Sequence, residues 1–176
     1  MEPSGKRIVF GLDVSSSMDR GSVGGVPGLT PRVATGALAN AATEEHSAFV
    51  AFSDELVPVG ISPERRLDDV LRQLDELPFG GTDCALPMLW ASEKGVEADA
   101  FVILTDSETW AGEVHPAQAL RLYRRESGIP AKLVVVGMAA NEFSIADPDD
   151  GGMLDVVGFS TDTPAVISRF IGGSGT

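Results

Sequence analysis

The stretch Arg7-Ile8-Val9-Phe10-Gly11-Leu12-Asp13-Val14-Ser15-Ser16-Ser17 opens with an apolar run and ends in a carboxylate followed by hydroxyls two residues apart. A run of this kind reads as a strand of a parallel sheet, covered on both faces. Such a strand carries a charge at its buried end only if something compensates that charge, and a bound cation is the simplest candidate. Carboxylate and hydroxyl oxygens are hard donors, which suits Mg²⁺ or Mn²⁺ and not Zn²⁺.

Working outward, strands and helices alternate. Gly21 to Thr30 reads as a loop, and Thr30-Pro31 as the cap and first position of a helix carrying Val33, Ala34, Ala37, Leu38, Ala41 and Ala42 at helical spacing. Ser47 to Phe52 and Leu56 to Ile61 are strands joined by Ser53-Asp54-Glu55, a hairpin-length link that makes them antiparallel neighbours. A second helix follows Ser62-Pro63 through Leu67, Val70, Leu71, Leu74 and Leu77. A third begins near Asp83 and runs to about Lys94. Ala100 to Leu104 is a strand ending at Thr105-Asp106, and His115-Pro116 opens a helix that Gly128 stops. Lys132 to Val136 is the fifth strand. Phe143 to Ile145 and Val156 to Phe159 are short candidate strands around an acidic turn, and Thr163-Pro164 opens the last helix. The alternation predicts an α/β fold: a doubly wound, mostly parallel sheet with an antiparallel edge strand and helices on both faces.

The 176 residues suffice for one domain with a sizeable core, expected to span 1–176 with flexible tails at 1–6 and 172–176. A net charge of −13 argues against nucleic-acid binding through phosphate neutralisation and is compatible with cation binding. The single cysteine, Cys84, excludes an internal disulfide and a thiolate metal cluster; it points to a reducing, cytoplasmic setting. Met1 to Lys6 lacks an apolar signal core, and no apolar run is long enough to span a bilayer. These features predict a chain without membrane contact, and nothing in the pattern demands more than a monomer.

Open α/β sheets bind ligands beyond the carboxyl ends of their strands, where adjacent connections leave in opposite directions. Two strands here end in a carboxylate, at Asp13 and at Asp106. If they are neighbours, both face one crevice. Ser15 and Ser17 follow Asp13, and Thr82 lies in the turn Gly80-Gly81-Thr82-Asp83, whose glycines let the backbone approach closely. Asp13, Ser15, Ser17, Thr82 and Asp106 would then surround one cation. Mg²⁺ takes six ligands and keeps water, which leaves a position open.

Asp13-x-Ser15-x-Ser17, then Thr82, then Asp106 resembles the metal-ion-dependent adhesion site of von Willebrand factor A domains, with all five positions filled in order. The resemblance implies strand order 3-2-1-4-5-6 with the third strand antiparallel at the edge. It also implies Mg²⁺ or Mn²⁺ completed by an acidic side chain of a protein partner. Further stretches are similar to the C-terminal A-type domain of the Ro ribonucleoprotein autoantigen family and its bacterial relatives. They are Phe52-Ser53-Asp54-Glu55, Gly80-Gly81-Thr82-Asp83-Cys84, Leu104-Thr105-Asp106-Ser107-Glu108-Thr109, Val114-His115-Pro116-Ala117 and Ala146-Asp147-Pro148-Asp149-Asp150. In that family a ring of helical repeats, absent from this sequence, precedes the domain and binds small non-coding RNAs. What carries over is the metal site and the setting of an RNA–protein particle concerned with RNA quality control, not the RNA-binding residues.

Plainer readings stand beside these. Ser15 and Ser17 also suit a capped turn. Asp83 and His115 read as helix caps, Cys84 as a small core residue, and Asp147 to Gly152 as a solvated turn that fails the calcium-loop pattern. Arg121, Arg124 and Arg125 read as a solvated stripe. Ser107, Glu108 and Trp110 follow the metal loop and are candidates for a partner surface. The leading expectation is a non-enzymatic binding module. The alternative is a Mg²⁺-dependent phosphotransferase or hydrolase with Asp13 as nucleophile. An aspartyl-phosphate enzyme of the haloacid dehalogenase type wants an Asp two residues on as general acid, and Ser15 occupies that place.

Overall fold

The structure is a computed structural model that describes residues 5–15, 18, 27, 29–41, 46–60, 68–69, 72–73, 76, 82–105, 113–137, 145–158 and 162–173, with the side chains of 37–41 outside the description. The strands are β1 (Ile8–Asp13), β2 (Ser47–Phe52), β3 (Leu56–Val59), β4 (Ala100–Thr105), β5 (Lys132–Gly137) and β6 (Met153–Val157). They form one sheet in the order β3-β2-β1-β4-β5-β6, and every neighbouring pair is parallel except β2 with β3. The helices described are α1 (Pro31–Ala41), α2 (Leu86–Lys94), α3 (Pro116–Ser127) and α4 (Thr163–Gly172).

The period-2 alternation of β1 divides the core in two. Ile8, Phe10, Leu12 and Val14 pack with Ala34 of α1 and with Ile167 and Ile171 of α4. Val9 packs on the other face with Met88 of α2, Leu120 and Tyr123 of α3, and Phe101 and Ile103 of β4. Gly11 lies on this second face. A Cβ there would meet Pro87 Cγ at 2.7 Å and Ile103 Cδ1 at 2.8 Å, so the bare backbone is what lets α2 approach the sheet.

Helix starts follow the sequence signals. Thr30 Oγ1 accepts from Val33 N–H at 3.3 Å, and His115 Nδ1 accepts from Ala117 N–H at 3.1 Å. α2 begins at Leu86, three residues beyond the expected Asp83, because residues 84 and 85 form a turn in which the Asp83 carboxylate accepts from Ala85 N–H at 3.1 Å. The expected stripe of Leu67, Val70, Leu71, Leu74 and Leu77 lies outside the described residues, although Asp68, Asp69, Arg72 and Gln73 between them are helical.

β6 departs from the expected Val156 to Phe159. It runs Met153–Val157, and Ile145 lies in no strand. The reason is Asp155. This polar residue inside the strand uses its carboxylate to accept from the N–H groups of Ile145 (3.1 Å) and Ala146 (3.0 Å), pinning the β5–β6 crossover.

The acidic turn and the arginine stripe, both expected to be solvated, are partners. Arg124 donates to Asp150 at 2.6 Å and to the Ala131 carbonyl at 2.8 Å, and Arg121 pairs with Asp147. Gly152 leaves space beneath them; a Cβ there would meet the end of the Arg124 side chain and make the guanidinium shift. The tail expected from Gly172 is helical at its first residue. The Gly173 carbonyl accepts from Lys132 Nζ, which also takes the Phe170 carbonyl at 2.7 Å and so caps α4 with a cation.

At the amino end of the sheet, Asp99 accepts from Arg7 Nε at 3.0 Å, from its terminal nitrogen at 2.9 Å and from its backbone N–H at 2.9 Å. These side-chain bonds hold the Asp99 carboxyl below the usual carboxylate range, against the opposing effect of partial burial. Arg124 does the same for Asp150.

Gly11→Ala is expected to lower stability by about 1–3 kcal/mol through overpacking against Pro87, read as a lower denaturation midpoint. The depressed carboxyls of Asp99 and Asp150 set an acid limb. Their contribution is complete above the unfolded value of about 3.9 and is lost as pH falls through their lower folded values. Thermal midpoints measured down to about pH 2 should fall less steeply in Asp99→Asn/Asp150→Asn than in the parent chain.

Candidate functional site

β1 lies between β2 and β4 at the centre of the sheet; the chain leaving β1 goes to β2 on one side, and the chain leaving β4 goes to β5 on the other. The crevice beyond β1 and β4 is therefore the switch point of the topology. Asp13 is the last residue of β1, and its side chain is buried there, 1% exposed.

Two donors orient its carboxylate. Ser15 N–H donates to Asp13 Oδ1 at 2.8 Å, folding the chain back in an Asx-type turn. Thr105 Oγ1, at the end of β4, donates to Asp13 Oδ2 at 2.5 Å. The β1–β4 register makes this bond possible: Leu12 sits opposite Leu104, so the next residue of each strand is adjacent. Thr105 is fully buried, Ser15 is buried as well, and Met18 anchors the same loop by donating its N–H to the Ser15 carbonyl at 3.1 Å with its side chain in the core.

Thr82 is brought to the same edge through β2. Asp13 pairs in register with Phe52, and Ser53 follows Phe52. The Ser53 carbonyl accepts from Asp83 N–H at 2.8 Å, which ties the buried Thr82 and its turn to the carboxyl end of the strand beside β1. Burial pushes the Asp83 carboxyl up, opposed by the Ala85 N–H. Asp54 is exposed at the hairpin tip, whereas Ser53 is buried and takes no part in the outer surface.

The structure thus brings Asp13, Ser15 and Thr82 to one edge. Ser17 and Asp106, and the surface candidates Ser107, Glu108 and Trp110, lie outside the described residues. Asp106 follows Thr105 directly in sequence. Among the described residues no group of three or more His, Cys, Asp or Glu is placed to hold a metal. The described part of the site is one carboxylate with hydroxyl-bearing neighbours. This hard-oxygen set fits Mg²⁺ or Mn²⁺ and offers nothing to a soft metal.

Thr105 is the residue that sequence reasoning missed. Its signal was a hydroxyl at the inner end of an otherwise apolar strand, and only the register with Asp13 gives that hydroxyl a task.

Comparison with known proteins gives a consistent picture. Residues 7–171 match the family described as the Ro60 vWA domain. The chain is 46% identical over 175 residues to the RNA-binding protein RO60 of Deinococcus radiodurans, covering 98% of this chain and 33% of that protein. It is 43% identical over 173 residues to the RNA-binding protein RO60 of Caenorhabditis elegans, covering 97% of this chain and 27% of the relative. The chain therefore spans about a third or less of the length of these relatives. The crystal structure of the Deinococcus radiodurans RO (RSR) protein superposes with a TM-score of 0.90 over 98% of this chain and 35% of that one, at 46% identity. The manganese-loaded Plasmodium vivax TRAP protein, 12% identical, superposes with a TM-score of 0.56 over 97% of this chain and 75% of its own, a likeness of fold.

Proposed function

The chain belongs to the Ro60 vWA domain family, and we propose that it serves as a non-enzymatic, metal-dependent binding module within an RNA–protein particle. The observation that carries this reading is the Asp13 carboxylate, buried at the switch-point crevice and oriented through both of its oxygens. Asp13, Ser15, Ser17, Thr82 and Asp106 would hold Mg²⁺ or Mn²⁺. When bound, the ion supplies a positive charge that an acidic side chain of a protein partner neutralises.

The chain's own residues do the rest. Ser15 N–H and the Thr105 hydroxyl fix the carboxylate, Met18 anchors the Asp13 loop, and Ser53 holds the Thr82 turn against β2. Exposed Asp54, together with Ser107, Glu108 and Trp110, would meet the partner. With Ser15 where the general acid of an aspartyl-phosphate enzyme would stand, Asp13 lacks the partner that phosphoryl transfer needs, which favours binding over phosphoryl transfer.

The relatives are described as RNA-binding proteins, which supports the particle context. The charge of −13 disfavours direct contact with RNA by this chain, so the module would act on protein, in the cytoplasm and as a monomer, with residues 1–176 forming a single domain. Among the described residues no helix is long and apolar enough to cross a membrane, and the proposal includes no membrane contact.

Calorimetry with Mg²⁺ and Mn²⁺ tests the site. Saturable binding is expected in the parent chain and a loss of about tenfold or more in Asp13→Ala and in Asp106→Ala. Absence of binding to the parent chain at millimolar metal would sink the reading. A thermal midpoint that rises with added Mg²⁺ in the parent chain, and stays unmoved in Asp13→Ala, is the matching linkage result.

A further inference from the structure

We propose that Thr105 is a positioning residue that sets the preference of this site for Mg²⁺ over Ca²⁺; the inference rests on the metal-site reading above. Thr105 closes β4 on the same face as Phe101 and Ile103, among apolar neighbours, with no exposure to solvent. A hydroxyl in such a place costs desolvation unless it is used, and a valine would fit the strand equally well. Its use is visible: Oγ1 donates to Asp13 Oδ2 at 2.5 Å, within the range of charge-assisted O–H···O⁻ bonds.

Ser15 N–H holds the other oxygen at 2.8 Å. The first donor lies on the neighbouring strand and the second on the loop that follows Asp13, so the carboxylate is gripped from two directions and its rotation about the Cβ–Cγ bond is fixed. Each oxygen of an ionised carboxylate keeps lone-pair capacity beyond one hydrogen bond, so the grip leaves room for a ligand bond or a metal-bound water.

The two cations respond differently to such a grip. Mg²⁺ demands near-ideal octahedral geometry, whereas Ca²⁺ accepts flexible, irregular oxygen sets. A carboxylate fixed in one orientation therefore favours the smaller ion, and a carboxylate freed to rotate gives that advantage up. Thr105 touches Asp13 and would act on the metal through it.

The experiment compares the parent chain with Thr105→Val and Thr105→Ser. Mg²⁺ and Ca²⁺ affinities are measured by calorimetry, and folding is checked by circular dichroism and thermal midpoint without metal. Thr105→Val is expected to weaken Mg²⁺ binding by about tenfold or more, the usual cost of losing an outer-shell partner, and Ca²⁺ binding by clearly less, so that the ratio narrows. Thr105→Ser keeps the hydroxyl and is expected to restore both the affinity and the ratio. A merely structural role would weaken both ions alike or neither.

An unchanged ratio in folded Thr105→Val overturns the inference, as does Thr105→Ser behaving like the valine variant. Should the valine variant fail to fold, Thr105→Ala takes its place with the same expectations. A parent chain that binds no Mg²⁺ overturns the metal-site reading and this inference together; a parent that binds Mg²⁺ with a Val variant of unchanged ratio overturns this inference alone.

Discussion

A carboxylate placed at the inner end of the central strand constrains the structure around it. Asp13 is 1% exposed, and a buried carboxylate without donors would cost more than most single interactions in a domain return. The donors come from outside β1. One is the backbone of the following loop and one is the end of β4, so the carboxylate depends on the β1–β4 register and on the turn at Ser15 together. A one-residue slip of β4 would carry Thr105 to the opposite face and leave Asp13 Oδ2 without this bond. The same strand carries Gly11, two residues earlier on the same face, where α2 reaches the sheet through Pro87. That helix therefore rests on β1, while the Thr82 segment just before it is tied to the end of the adjoining β2 through the Ser53 carbonyl.

The two ends of the sheet treat charge in different ways. At the amino end, and along the β5–β6 crossover, carboxylates meet guanidinium groups: Asp99 with Arg7, Asp150 with Arg124, Asp147 with Arg121. The carbonyls that end α4 meet the Lys132 ammonium, which also lies 5.2 Å from the centre of the Phe170 ring. At the carboxyl end the two donors described for Asp13 are neutral, an amide and a hydroxyl. Neutral donors orient a carboxylate while leaving its charge to act on what enters the crevice. The charged pairs elsewhere use that charge internally.

Much of this was legible in the sequence, because it is written in local signals. The apolar runs gave β1, β2, β4 and β5 almost residue by residue, and the length of Ser53-Asp54-Glu55 gave the antiparallel edge. Thr30 and His115 cap their helices as a polar residue before proline predicts. What escaped was every feature whose cause lies far along the chain. Asp155 lies inside β6 although the expected strand started only at Val156, and its carboxylate takes the amides of Ile145 and Ala146. Arg124 and Asp150 each read as solvated, being 26 residues apart, and Thr105 reads as a strand end until the register sets it beside Asp13. Periodicity reports which face a side chain occupies; it carries no information about which distant partner shares that face.

The use of the basic residues bears on what the chain can hold. It has 13 Lys and Arg against 26 Asp and Glu. Arg7, Arg121 and Arg124 are paired with carboxylates inside the chain, which offset their charge where it stands, and Lys132 is engaged with the carbonyls that end α4. The basic charge left to face a polyanion is thinner than composition alone suggests. Phosphate contacts draw affinity from counterion release by lysine and arginine, so a surface with this balance repels a nucleic acid before any specific contact forms. A carboxylate-bearing protein partner meets the same repulsion at long range. It is overcome only where a local positive charge sits at the point of contact. For an acidic partner of the kind proposed, the acidity of the chain would thus make a cation in the crevice a condition of binding.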